Sequence, residues 1–203
     1  MPRVILYGRW YDAVLNGTGL FERCRLPEAY RYLEVELPRR IWPEVRLHLT
    51  ARRWLLIHDG FRADQRALAE AGAAWTEGRV DIDGYRRVVM PRLGAFLQHL
   101  DGHHHIETEH YFPVFAAAEP RMKGGFELLD RDHDAIHGLL VGMSTAAVAF
   151  DAAAGTDRRR QADALASAID AASGPLRRHL HDEEDVIVPQ MTLRGDPFER
   201  GDT

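Results

Sequence analysis

His103-His104-His105-Ile106-Glu107, followed by Pro113, and His179-Leu180-His181-Asp182-Glu183, followed by Pro189, are the two stretches that decide the fold. Aligned from Leu100 and Leu176, they match at an offset of 76 residues, with Leu, His, Glu and Pro in register. A second pair, His58-Asp59 and His133-Asp134, repeats at an offset of 75. The chain therefore reads as two helical hairpins of one plan. Such a repeat places the two His-x-x-x-Glu faces opposite each other across a pseudo-twofold axis.

The surrounding apolar residues recur at steps of three and four. Leu93, Phe96, Leu100, His103, Glu107 and Tyr111 form one stripe, and Leu129, His133, Ile136, Leu140 and Met143 a second. Leu165, Ile169, Leu176, His179, Glu183 and Val186 form a third. These steps mark the face that an amphipathic helix turns to the core. His103, Glu107, His133, His179 and Glu183 all fall on it. Four helices are predicted: about 44–74, about 84–118, a third following Gly124-Gly125 to about 153, and a fourth from after Asp157 to about 191. Pro43 is placed in the first turn of the first. Pro91 is expected to kink the second or mark its true start, Gly174-Pro175 to disturb the fourth, and Pro113 and Pro189 to end or bend their helices. Short links make an all-α, up-down-up-down four-helix bundle the simplest packing. The bundle spans 44–192, residues 1–43 form an extension packed on it, and 193–203 are a tail. Within the extension, Val4-Ile5-Leu6-Tyr7 reads as a short strand and Asn16-Gly17-Thr18-Gly19 as a turn. Residues 31–37 read as an extended run or a helical turn, stopped by Pro38.

Composition sets the outer limits. The 203 residues are 45% hydrophobic and 28% charged, which excludes disorder and collagen and leaves room for a sizeable core. No uninterrupted apolar run approaches the roughly 18–20 residues that span a bilayer, and the first residues lack a signal-peptide core. Cys24 is the single cysteine, so no intrachain disulfide forms and a cytoplasmic setting is expected. A net charge of −5 argues against nucleic-acid binding. No membrane association is expected, and no protein partner is indicated.

Eleven histidines are unusual for such a chain. Residues i and i+4 of a helix share a face, so His103 with Glu107, and His179 with Glu183, aim at common points. His58 and His133 bring the set to four imidazoles and two carboxylates in one core. Left unsatisfied, each such group costs about 1–3 kcal/mol, and an ionised carboxylate more. Cations remove that cost by using the lone pairs. Six ligands are too many for one tetrahedral zinc and suit two metals bridged by the carboxylates.

These motifs, His103-x3-Glu107-x5-Pro113 and His179-x3-Glu183-x5-Pro189 with the two His-Asp helices, resemble the hemerythrin-like (HHE cation-binding) family over residues 48–191. The resemblance implies metal ligands at His58, His103, Glu107, His133, His179 and Glu183. A fifth histidine is implied too, for which His137 is the candidate and His104 the runner-up. It implies two iron ions, ferrous or ferric, with a bridging oxo or hydroxo group; manganese or zinc also suits these ligand types. It implies dioxygen, nitric oxide or peroxide as small ligand, in oxygen or iron sensing, storage or oxidative-stress defence. The chain is read as a binding protein before an enzyme. A peroxide-consuming enzyme and an interaction module with a structural metal are the alternatives. Trp54, Phe61, Phe96, Leu140 and Met143 are expected to wall the site. His104, His105, His110 and His181 otherwise read as solvated or supporting residues, and Glu109, Glu184 and Asp185 as an exposed acidic face. Asp59 and Asp134 either lie exposed or orient a ligand histidine.

Overall fold

A computed structural model describes residues 19–200. The Val4-Ile5-Leu6-Tyr7 run and all but the last residue of the Asn16–Gly19 turn lie outside them. Among the described residues there are no strands. Four long helical stretches account for most of the chain. They are α1 (Leu49–Thr76), α2 (Ile82–Ile106) continuing through a π-helical turn (Glu107–Tyr111) into α3 (Phe112–Ala118), α4 (Lys123–Ala152) and α5 (Asp157–Arg194). Helix α5 packs along both α1 and α4, and α2 lies against α1 and α4.

The boundaries follow from local chemistry. Helix α1 begins at Leu49, not near residue 44, because Val45 is extended and the His48 ring caps the helix by accepting from the Thr50 N–H. Pro43 belongs instead to a separate 3-10 segment, Arg39–Glu44. Helix α1 runs past Gly72 and stops at Thr76, where Gly78 (φ 71°) takes the left-handed conformation after it. Asp81 caps α2, accepting from the Gly84 N–H at 2.7 Å, so α2 starts well before Pro91 and passes through it. Pro175 and Pro189 likewise lie inside α5 without ending it.

Pro113 acts differently. It has no N–H to offer the Glu109 carbonyl, and its ring crowds that carbonyl. The preceding turn widens, with the Phe112 N–H reaching back to the Glu107 carbonyl. Such π turns concentrate at functional sites.

Two apolar clusters fill the interior. One contains Phe61, Leu100, Ile136, Leu176 and Leu180; the other contains Trp54, Phe112, Leu129, Val186 and Met191. On each helix the polar core residues sit between members of the two clusters. His58 lies between Trp54 and Phe61, His104 between Leu100 and Phe112, His133 between Leu129 and Ile136, and His179 between Leu176 and Val186. The polar residues thus form one layer across the bundle. The stretch Pro120–Ala152 is the one described helix long and apolar enough to cross a membrane, yet its core-facing side carries Asp132 and His133 within that layer.

Residues 19–48 cover the Trp54 end. They form 3-10 turns at Glu28–Tyr30, Tyr32–Val35 and Arg39–Glu44, the helical-turn alternative for 31–37. Leu26, Leu33, Leu37 and Trp42 are buried in the second cluster. Gly124 and Gly125 do not precede a helix but stand in the first turn of α4, where they make room for Tyr30. A Cβ on Gly125 would lie 2.8 Å from the Tyr30 Cβ, with no flexible end to give way. Gly125→Ala is expected to destabilise the protein by about 1–3 kcal/mol by levering the segment off, read by urea unfolding. The chain after α5 folds back through Pro197–Arg200, with Phe198 against Tyr111 and Phe115.

Candidate metal centre

Two groups of potential ligands meet in the polar layer. One is His58, His103, Glu107 and Glu183; the other is His104, Glu107, His133 and His179. Within each, the ligand atoms lie within 4.8 Å of one another. Glu107 belongs to both. Its Oε1 is 2.7 Å from His103 Nε2 and its Oε2 is 3.4 Å from His133 Nε2. Glu183 also spans the groups, with Oε1 3.8 Å from His58 Nε2 and Oε2 3.3 Å from His179 Nε2. Two carboxylates therefore link a two-imidazole group to a three-imidazole group.

Helix geometry produces the asymmetry. Glu107 has His103 four residues before it and His104 three before it, so the two rings flank the carboxylate on one face. In the other hairpin the position matching His104 is Leu180, which is buried in the first apolar cluster. The repeat is thus broken at one residue, and there the fifth imidazole appears.

His137 is the correction. It stands 62% exposed on the outer side of α4, paired with Asp101 at 3.0 Å. The inward stripe of α4 steps from His133 to Ile136 and Leu140, so a residue four after His133 turns away. His104, 5% exposed, lies in the cluster instead, its ring stacked on His133 with centroids 4.2 Å apart. His105 and His110 are exposed, and His181 is partly so.

Three of the imidazoles are held by their outer nitrogens. His58 Nδ1 meets Glu184 at 3.0 Å and His179 Nδ1 meets Asp132 at 3.3 Å. The Thr108 hydroxyl donates to Asp130 and so accepts from His133 Nδ1 at 2.9 Å. Each bond leaves the Nε2 lone pair aimed inward. These anchors are Glu184, Asp132 and Thr108, not Asp59 or Asp134, which are exposed; Asp59 pairs with Arg62. Glu184 and Asp185 are fully buried, contrary to the expected acidic face, whereas Glu109 is exposed. Charge neutralisation explains their burial. Arg23 meets Asp132 and Asp182, Arg25 meets Asp185, Arg39 meets Glu184 and Asp185, and Arg62 meets Glu184.

The surrounding ring of ion pairs is thus balanced, and the carboxyl groups left at the centre are those of Glu107 and Glu183. Both oxygens of Glu107, Glu183 Oε2 and the Nε2 atoms of His104, His133 and His179 are buried without a hydrogen-bond partner. His58 Nε2 and His103 Nε2 face each other at 3.2 Å. Orphaned buried acceptors are rare in folded proteins. Their convergence here fits cations shared between two carboxylates. Trp54 donates to Glu183 Oε1 at 2.8 Å, Phe61 packs on His103 and Phe112 on His133. Phe96, Leu140 and Met143 belong to the apolar cluster behind them.

The sequence profile of the hemerythrin HHE cation-binding domain matches residues 50–191. The chain belongs to the hemerythrin HHE cation-binding family. Cation binding by this HHE domain is therefore expected to use the His/Glu layer. Residues 19–48 lie outside the matched region. No curated protein and no solved structure matches the chain.

Protonation differs across the layer. Burial lowers His103 to about 4 and holds His104 and His133 well below the usual histidine range. Burial also opposes charge on His179, but its hydrogen bond to Asp132 and the nearby Glu183 carboxylate prevail and raise it to about 9. Burial, then the charge of Glu183, pushes Glu107 well above the carboxylate range. Glu183 stays ionised because His58 and His179 outweigh its burial. At neutral pH the metal-free HHE layer therefore holds a proton on His179, while Glu107 keeps its proton to higher pH than an ordinary carboxylate. The His179 proton stabilises the metal-free fold fully below about pH 6.5, and that contribution fades as pH rises through 9. A cation must displace it, so metal affinity is expected to climb over the same window, with about one proton released from His179 per loaded chain at pH 7. Calorimetry in buffers of different ionisation enthalpy measures that release. An affinity unchanged between pH 6 and 9 would contradict this protonation pattern.

Proposed function

We propose that the protein is a non-haem di-iron protein that binds a small oxidant or diatomic ligand, with dioxygen first and nitric oxide or peroxide as related ligands. The single observation that carries this reading is the bridging by Glu107 and Glu183 between His58/His103 and His104/His133/His179. Two divalent cations would more than offset the two central carboxylates, leaving positive charge to attract a further anionic ligand. Imidazole and carboxylate together suit iron, and manganese or zinc share the preference. Bound iron would supply the electrons and open coordination that such ligands require.

The chain's own residues have separable tasks. His58 and His103 hold one side, His104, His133 and His179 the other, and the two glutamates tie the sides together. Trp54, Phe61 and Phe112 exclude water from the inner faces of the rings. Glu184, Asp132 and Thr108 fix ring orientation. The four long helices suit an up-down-up-down bundle, since only short links separate them. A reducing, cytoplasmic setting suits both a ferrous pair and the lone exposed Cys24.

The test is metal analysis with a visible spectrum of the reduced protein, taken before and after exposure to air. About two irons per chain and a new charge-transfer band are expected. Trace iron, or an unchanged spectrum, would refute the proposal. Rapid catalytic loss of added peroxide would replace binding by turnover.

A further inference from the structure

Resting on the reading of His58 and His179 as ligands, we infer that the segment 19–48 is a working part of the metal centre, with Arg23 and Arg39 as positioning residues for those two histidines. The apolar contacts of Leu26, Leu33, Leu37 and Trp42 already account for the segment's attachment. The arginines do something more specific. Arg23, with its side chain 4% exposed, grips both oxygens of Asp132 and reaches Asp182 through Nε at 3.0 Å. Asp132 is the acceptor for His179 Nδ1. Arg39 donates to Glu184 Oε2 at 2.7 Å, and also to Asp185 and the His181 carbonyl. Glu184 is the acceptor for His58 Nδ1.

Two relays of one form result, arginine to carboxylate to imidazole, ending on one histidine from each half of the internal repeat. A fork-like guanidinium fixes the plane of a carboxylate and keeps it an acceptor. The carboxylate then fixes the ring and its tautomer. Both arginines come from outside the region matched by the family profile. His133 provides the contrast, because Thr108 and Asp130 anchor it from within the bundle. Of the three imidazoles anchored by an outer nitrogen, two are therefore answerable to the N-terminal segment and one is not.

The experiment uses the full chain labelled with 15N-histidine and freed of metal, with Arg23→Gln and Arg39→Gln compared against wild type. Two-bond 1H–15N spectra read the tautomer and hydrogen bonding of each imidazole. Arg39→Gln is expected to move the His58 signals, and Arg23→Gln those of His179, while His133 stays in place. Titration with ferrous iron without oxygen is expected to show roughly tenfold weaker binding in each variant. Should Arg23→Gln fail to fold by circular dichroism, Arg39→Gln decides alone, since its side chain is 31% exposed. Unmoved His58 and His179 signals in folded variants would overturn the inference, as would a shift of His133 together with the others. If the imidazoles respond as expected but wild type takes up no iron, the relays stand and the di-iron reading falls. If wild type binds two irons and the variants match it in signals and affinity, the reverse holds.

Discussion

Glu107→Leu is expected to take the protein from two bound metals per chain to fewer than one, and to make the metal-free fold more stable. The two effects have one cause. Glu107 is 1% exposed, and neither of its oxygens has a hydrogen-bond partner. Without a cation it is a buried acid beside a second buried acid, which is why burial and the charge of Glu183 raise it so far. An acid raised in this way supports the fold fully only below the ordinary carboxylate range. Its contribution is lost as pH rises through the raised value. Leucine, of similar size, removes a desolvation cost of about 1–3 kcal/mol. For a chain of this length that is roughly 2–10 °C in melting temperature. Metal binding meanwhile loses one of the two carboxylates that span both ligand groups. Metal analysis and thermal melts after chelation measure the two sides. A variant that keeps two metals would remove Glu107 from the bridging position. A metal-free variant that melts below wild type would show that the carboxylate is satisfied by the fold itself.

The opposed signs also say why so much of this site is legible in the sequence. A fold would discard such groups unless they served a purpose, so polar residues on an apolar stripe stand out. His58, His103, Glu107, His133, His179 and Glu183 are found that way, at matched places in a repeat. The fifth imidazole is harder. His104 neighbours His103, and adjacent residues on a helix point about 100° apart, so a search for one ligand per turn passes over it. It belongs because Glu107 lies between the two rings, a relation set by the helix and not by the repeat. His137 satisfies the spacing rule yet follows the wrong side of α4. The burial of Glu184 and Asp185 is illegible for another reason. Two of their partners, Arg25 and Arg39, lie about 145 to 160 residues away, in a stretch of short turns with no periodicity to read. Helical patterning reports which face is apolar. It says nothing of which distant cation allows an acid to join that face.

Arg23→Met is expected to carry the largest stability loss outside the centre, about 3–5 kcal/mol in urea unfolding of the metal-free protein. Its guanidinium serves two carboxylates at once, and Asp132 and Asp182 are both almost fully buried. Burial and, to a lesser degree, Asp132 already push Asp182 upward despite Arg23, so the cluster stands on the edge of charge imbalance. Removing the cation leaves two desolvated carboxylates facing each other between α4 and α5. A second substitution separates this cause from simple loss of packing. In the Arg23→Met background, Asp182→Asn removes one of the opposed charges and keeps an acceptor for the Leu26 N–H, which Asp182 now takes at 3.1 Å. The double variant should therefore be more stable than Arg23→Met alone by about 1–3 kcal/mol. In wild type the same Asp182→Asn change should cost stability, because it strips Arg23 of an ionised partner. That reversal of sign belongs to charge pairing alone. If Asp182→Asn is destabilising by the same amount in both backgrounds, Arg23 contributes through its contacts and not its charge, and the N-terminal segment is held by its leucines and Trp42.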